Sequence, residues 1–299
     1  MKFGIVGNLT KETVSDAVLR ILNCEEKDEI EFLVHEELGR IVNKKFGSKL
    51  IPKHQLLDDE KLVHQSDIII AFGGDGTILS TARMVGRAQV PIVGINLGKL
   101  GFLAELSLDE MDAFIRDILN NQHAVEERTV IKVTIEGTDT EMTALNDVVV
   151  DKSSSSRAIQ LTTFVDNDYL ISYTGDGLII ATPTGTTGYA LAAGGPIVVP
   201  TTDVLTVQPI SPHTLTARSM IVPDESIIRI DIEDTAAEAR VTADGQQELV
   251  VTPPVTVIVQ KADYTIKLVK PKDRSYYDVL RAKLLWGRDL RVYPRSSMK

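Results

Sequence analysis

Asp75 stands among Gly73, Gly74 and Gly76, with Thr77 closing the group. The three missing Cβ atoms let backbone N–H groups approach a ligand closely and permit φ > 0, which is how a loop cradles phosphate oxygens. A carboxylate inside such a cradle is electrostatically costly unless it binds a cation or accepts a proton during reaction. That asymmetry points to phosphoryl transfer, in which positioning and charge neutralisation do most of the catalysis. Taken alone, Asp75-Gly76 is ordinary turn chemistry, with Asp75 capping a helix.

A second polar stretch, Thr182-Pro-Thr-Gly-Thr-Thr-Gly-Tyr189, sets Gly185 and four threonine hydroxyls ahead of a small-residue segment, 189–193, predicted to be helical. A helix N-terminus there offers N–H and O–H donors, and Tyr189 is available to pack on a flat ring. The bland alternative is a Gly/Thr-rich corner of a sandwich. Asp176-Gly177 and Asp244-Gly245, taken singly, read as hairpin turns. His213 after Ser211-Pro212 reads as structural, and Lys99 as a phosphate contact or a solvated cation. His35-Glu-Glu-Leu-Gly39 lacks the second histidine of a zinc protease. The stretch 94–100 is one residue short of a Walker loop and has Leu where Ser or Thr would hold Mg²⁺.

The elements that position these residues follow from periodicity. Residues 68–72 form a continuous apolar run, which predicts a parallel strand covered on both faces. Residues 78–85 are predicted as the following helix, with Thr77 as its N-cap. Strands at 2–6, 30–34, 68–72 and 90–95 alternate with helices at 11–22 and 36–46, so this half consists of βαβ units with right-handed crossovers. The expectation is an α/β Rossmann-like open sheet over 1–105, without the Gly-x-Gly-x-x-Gly fingerprint. After a helix at 108–120 the texture changes to short strands at 129–136, 146–150, 159–165, 178–181, 227–232, 240–242, 255–259 and 264–269. These predict an all-β, sandwich-type domain over 106–270. The serines at 153–156 read as a mobile loop. In 271–299 the spacing of Tyr277, Leu280 and Leu284 is helical, and this tail is expected to pack back on the first domain.

The 299 residues, 43% hydrophobic and 25% charged, suit a globular protein of one large or two moderate domains. A net charge of -10 argues against sequence-independent nucleic-acid binding, which needs a basic footprint. One cysteine, Cys24, rules out an internal disulfide and a cysteine zinc cluster and fits a reducing compartment. The apolar runs fall far short of the ~20 residues that span a bilayer. The chain opens on a strand-like stretch and meets Lys11-Glu12 too soon for a signal-peptide core, so a cytoplasmic location is expected.

Gly73–Thr77, Leu145-Asn-Asp147, Gly175-Asp-Gly177, Thr182–Tyr189 and Asp244-Gly-Gln246 occur in the order seen in the NAD kinase family, which the whole chain resembles. The first motif alone is shared with diacylglycerol and sphingosine kinases; the 182–196 stretch and its spacing from Asn146 narrow the resemblance. It implies transfer of the γ-phosphate of ATP to the 2′-hydroxyl of the adenosine ribose of NAD, giving NADP. In that picture Asp75 aligns the hydroxyl and accepts its proton late, Gly73, Gly74, Gly76 and Thr77 hold phosphates, and a divalent cation, Mg²⁺, arrives with ATP. Asn146 and Asp147 hold adenine and ribose. Arg157, Thr174, Asp176, Thr187, Gly188, Tyr189, Ala190, Leu191, Ala192 and Gln246 match NAD-contacting positions. Relatives share the site between subunits, which implies a homodimer or homotetramer. Three positions depart from the family: Asp147 stands where Glu is usual, Gly188 where Ala is common, and Thr174 where a basic residue is frequent. The competing readings are a lipid kinase, for which no basic patch or amphipathic anchor is evident, and a non-catalytic NAD(P) sensor.

Overall fold

The computed structural model describes residues 1–47, 49–154, 157–233 and 238–286. Strands Lys2–Gly7, Glu31–His35, Ile68–Gly73 and Ile92–Asn96 lie parallel, with Ile68–Gly73 between Lys2–Gly7 and Ile92–Asn96. Alternate side chains of the central strand face opposite ways. Ile68, Ile70 and Phe72 enter one core with Val18 and Ile21 of helix Val14–Leu22 and Leu38 of helix Glu36–Phe46. Ile69 and Ala71 enter the other, with Leu62 of helix Asp59–Gln65 and Ile78 and Ala82 of helix Asp75–Val85. Cover on both faces is why this run is apolar throughout.

The chain builds outward from Lys2–Gly7 to Glu31–His35 and Leu56–Leu57, then returns to the other side of Lys2–Gly7 for Ile68–Gly73. That reversal is a topological switch point, where open α/β sheets bind ligands at the carboxyl ends of the strands. The Gly73–Thr77 loop leaves its strand there.

Strand Val255–Pro271 pairs antiparallel with His123–Ile135 and, near its end, parallel with Ile92–Asn96 through Leu268. One twelve-stranded sheet therefore runs through both halves. The two strands predicted at 255–259 and 264–269 are this single strand, with a register shift between Lys261 and Thr265. A second sheet, ordered Met220–Pro223, Val204–Ile210, Gly177–Ala181, Asp147–Asp151, Ala239–Ala243, Gln247–Val251, closes a sandwich around Val133, Val148, Ile180, Ile230, Val241 and Val257.

Several local readings need correction. The helices predicted at 11–22 and 108–120 begin later, as Val14–Leu22 and Met111–Leu119, and the second packs Phe114 and Ile118 into the core with Phe3. Strands Glu141–Ala144, Asp168–Gly175, Val204–Ile210, Met220–Pro223 and Gln247–Val251 escaped the pattern. Pro209 disguised one of them; it lies past the stretch paired to Met220–Pro223, where a missing N–H is tolerated. Asp176-Gly177 is no hairpin turn, because the strands it joins belong to different sheets. Asp244-Gly245 is one: both residues have positive φ, and the Gln246 amide donates to Ala243 at 3.0 Å.

Ser275 and Asp278 form a capping box for helix Tyr276–Leu284, whose Val279 and Leu280 are buried. Lys283 on this helix donates to the Leu100 carbonyl, which returns the tail to the 100–110 stretch. Ser155, Ser156 and the tail beyond Trp286 lie outside the described residues. Among the described residues no helix is long and apolar enough to cross a membrane.

Candidate active site

The helix after the central strand begins at Asp75, and its N-cap is Gly74 rather than Thr77. Gly74 is extended, and its carbonyl accepts from the amides of Thr77 and Ile78 at 2.9 and 3.3 Å. None of Gly73, Gly74 and Gly76 takes a positive φ, so the expected conformational use of the glycines is not what requires them. A Cβ on Gly73 would lie 2.0 Å from Thr77 Oγ1, whereas Gly74 meets nothing within 4 Å. The first glycine admits the threonine, and the second leaves the loop bare to a ligand.

The Asp75 carboxylate is held by a different segment. Its Oδ2 accepts from the Phe102 amide at 2.9 Å, and its Oδ1 accepts from Leu103 and Ala104 at 2.9 and 3.1 Å. A carboxylate has about four lone-pair sites, so this one is aimed by three amides and keeps little free acceptor capacity. Gly101 makes the grip possible, because a Cβ there would sit 1.9 Å from Asp75 Oδ1. Neither Gly101 nor the three amides stands out in the sequence; backbone donors leave no side-chain signal.

Asn146 and Asp147 are fixed from beneath. Asp244 accepts from the amides of Leu145, Asn146 and Asp147 at 2.9, 2.7 and 3.2 Å. The Thr182 amide and hydroxyl return to the carbonyls of Asn146 and Leu145 at 2.9 and 2.6 Å. Gly185 packs so closely that a Cβ would lie 2.0 Å from the Asn146 carbonyl, and one on Gly188 would lie 3.7 Å from Asp147 Oδ2. Asp147 is 6% exposed. Burial, with the nearby Asp244 carboxylate adding to it, pushes its carboxyl up to about 7. Burial also raises Asp244, although the three amides and Arg83 oppose it.

The threonine corner differs from the expectation. Thr182, Thr184 and Thr186 are buried, and Thr186 and Thr187 donate to the carbonyls of Pro183 and Thr184. The Thr182, Thr186 and Thr187 hydroxyls shape the corner from within, and the predicted 189–193 helix is the single turn Tyr189–Ala192. Ala190 is buried beneath that turn, Leu191 is half-buried, and Tyr189 is exposed.

Gln246 joins the two regions: its Nε2 donates to the Gly76 carbonyl at 2.8 Å and its Oε1 accepts from Arg83 at 2.8 Å. Asp75 and the Asn146–Asp147 corner are thus linked through one turn, since Asp244 and Gln246 lie within it. Arg157, Thr174 and Asp176 form a separate group at one end of the antiparallel pair Ile159–Val165 and Asp168–Gly175. A hydrogen bond from Lys152, at 2.7 Å, holds Asp176 below the usual carboxylate range. Ser211, which hydrogen-bonds Asp176, lines a cavity of about 560 Å³ together with Tyr189, Ala192 and Arg218. A further cavity of about 290 Å³ lies at the strand ends between Gly7, His35, Asp59 and Thr77. Among the described residues no group of three or more His, Cys, Asp or Glu side chains is placed to hold a metal.

Residues 3–124 match the ATP-NAD kinase N-terminal domain, and residues 145–271 the ATP-NAD kinase C-terminal domain. An NAD kinase of Bacteroides fragilis is 38% identical over 294 residues, 98% of this chain and 100% of the relative. One from Thiobacillus denitrificans is 44% identical over 249 residues, 82% of this chain and 84% of the relative. Among solved structures, yeast NADH kinase complexed with NADH has a TM-score of 0.84 at 26% identity, covering 98% of this chain and 90% of that one. An Archaeoglobus fulgidus NAD kinase in complex with ATP has a TM-score of 0.72 at 26% identity, covering 94% and 99%. With both domains matched in order and one relative spanned end to end, the chain belongs to the NAD kinase family.

Proposed function

We propose that the protein is an NAD kinase, moving the γ-phosphoryl group of ATP to the 2′-hydroxyl of the adenosine ribose of NAD to give NADP. The observation that carries this reading is the linkage through the Asp244–Gln246 turn, which holds Asn146 and Asp147 with one residue and Gly76, beside Asp75, with another. An acceptor nucleoside bound at Asn146 and Asp147 is thereby brought to the aspartate. The donor's phosphates lie at the bare Gly74–Gly76 surface, where the amides opening helix Asp75–Val85 favour negative charge.

Asp75, gripped by three amides, aligns the ribose hydroxyl and takes its proton late in a loose transition state. A carboxylate so committed suits a divalent cation that enters bound to ATP rather than one resident on the protein. Mg²⁺, which prefers phosphate and water oxygens, would arrive on ATP and would supply charge neutralisation for the transferring group. Arg157, Thr174 and Asp176 contact the remainder of NAD across the cavity that Tyr189 and Ser211 line. The exposed Met220 and Ile221 on edge strand Met220–Pro223 support assembly into a homodimer or homotetramer, in which a neighbouring copy completes this side of the site. The free, buried Cys24 fits a cytoplasmic location.

The purified protein, incubated with NAD, ATP and Mg²⁺, is expected to form NADP. Saturable NAD binding without NADP would make it a sensor, and phosphorylation of a diacylglycerol or sphingosine instead would make it a lipid kinase. Light scattering at assay concentration checks the oligomer.

A further inference from the structure

Beneath the site runs a line of ionic groups, buried at Glu105, Lys270 and Arg128 and half-buried at Glu126, for which phosphoryl transfer, as described, has no use. Lys270 is 5% exposed, and its Nζ lies 3.3 Å from Glu105 Oε1 and 3.0 Å from Glu126 Oε1. Glu126 Oε2 accepts from Arg128 Nη2 at 2.7 Å. Arg128, 2% exposed, donates from Nη1 to Thr184 Oγ1 at 3.3 Å. One end of the line, Glu105, directly follows the Phe102–Ala104 amides that hold Asp75. The other end, Thr184, lies in the corner whose Thr182 and Gly185 pack on Asn146.

Stability alone does not account for these groups. Buried ion pairs replaced by apolar residues of similar volume often leave a protein as stable or more so. Moreover, this line is incompletely satisfied: Glu105 Oε2, Arg128 Nε and the nearby Tyr276 hydroxyl are buried with no hydrogen-bond partner. What apolar side chains cannot supply is a directional link of fixed length. Burial raises the Glu105 carboxyl, with Lys270 and Arg128 opposing it, so its charge depends on the rest of the line staying in place.

We infer that Glu105, Lys270, Glu126 and Arg128 are positioning residues, a largely buried strut that sets the separation between the amides gripping Asp75 and the threonine corner beside Asp147. The inference rests on the kinase reading above. Each end meets the site only through backbone or Thr184, so the strut acts on where Asp75 and the acceptor corner stand relative to each other, not on the substrates themselves.

The test uses Thr184→Val, which removes the far attachment without touching 102–104, alongside Thr184→Ser, which keeps the hydroxyl. For Thr184→Val we expect kcat to fall about tenfold, KM for NAD to stay within about twofold, and amide exchange of a peptide covering 101–106 to quicken about threefold, because the coupling is carried by contiguous contacts. Thr184→Ser should restore both kcat and exchange. An unchanged kcat, an unchanged exchange rate at 101–106, or a serine variant as slow as the valine one would each overturn the strut. Lys270→Met should move the same readouts further; if it does not fold, the Thr184 pair decides the matter. An unmodified protein that forms no NADP would remove the kinase reading and this inference with it, whereas a competent one with an unimpaired Thr184→Val removes the strut alone.

Discussion

Asp244 accepts the amide hydrogen of Asn146 at 2.7 Å across ninety-eight residues of sequence, and the same carboxylate takes the amides on either side. A hairpin turn thereby serves as the floor of the corner that holds Asn146 and Asp147. Asp244→Ala leaves three amides without their acceptor, and water reaches only part of the space. The expected loss is about 2 kcal/mol in chemical denaturation, with NAD affinity falling by at least about tenfold as Asn146 and Asp147 lose their register. Destabilisation with NAD titration unchanged would show that the corner does not depend on this floor.

Asp75 and Gly101 stand in a comparable relationship, since the second has no side chain so that the first can be held. Asp75→Asn turns a donor toward the Phe102 amide and removes the proposed proton acceptor. We expect kcat to drop by about 10²–10⁴ while NAD binding is retained. Gly101→Ala keeps the carboxylate but places a methyl group 1.9 Å from it, which forces the loop to shift. Here kcat should fall by at least about tenfold with KM for NAD little changed, because a small misplacement costs rate rather than binding. Steady-state kinetics on both variants checks this; an alanine variant of full kcat would dismiss the three-amide grip.

Gln246 is exposed, so Gln246→Leu should change the melting temperature little, within about 0.5 kcal/mol of stability. Its two hydrogen bonds nevertheless tie Gly76 and Arg83 to the turn. We expect kcat/KM for NAD to fall by about fivefold to tenfold through loss of alignment. Calorimetry together with initial rates separates the two effects, and a variant with wild-type kcat/KM would mean that the turn and the Gly76 loop are not functionally joined.

The fold was legible where burial imposes a simple pattern. Ile68 to Phe72 carry their assignment openly because both faces of that strand are covered, and helix 36–46 was bounded to the residue. Strand Asp168–Gly175 was not legible, because it lies at a sheet edge and its burial alternates poorly. The candidate site shows the same division. Asp75, Asn146 and Gln246 bear side chains whose chemistry marks them, but the donors that aim Asp75 are backbone amides of Phe102, Leu103 and Ala104, which any residue but proline supplies. Glycine is required at 101 and 185 for close approach, a property decided by which segment lies opposite and therefore invisible until the chain is folded. The threonines at 182, 184 and 186 advertised hydroxyls for a ligand, but Thr182 and Thr186 spend theirs on the corner itself and Thr184 accepts from Arg128.

Asp147 makes the site sensitive to pH in two opposite senses. In the folded protein burial and the Asp244 charge hold its carboxyl up at about 7, against 3.8 for an unperturbed aspartate. The folded state therefore keeps this proton through a window in which the unfolded state has released it. Its contribution to stability is full below about pH 3.8 and is lost as pH rises toward 7. On the proposed contact, ribose hydroxyls donate to the ionised form, so NAD affinity should run the other way, weakening as pH falls below about 7 by up to about tenfold per unit. Asp147→Asn fixes a neutral side chain and should flatten both dependences, leaving NAD affinity near the wild-type value at low pH. Measuring KM for NAD and the denaturation midpoint between about pH 5.5 and 8 on both proteins decides it: a wild-type KM that is level across that range would mean that Asp147 does not take the ribose hydroxyls as an acceptor.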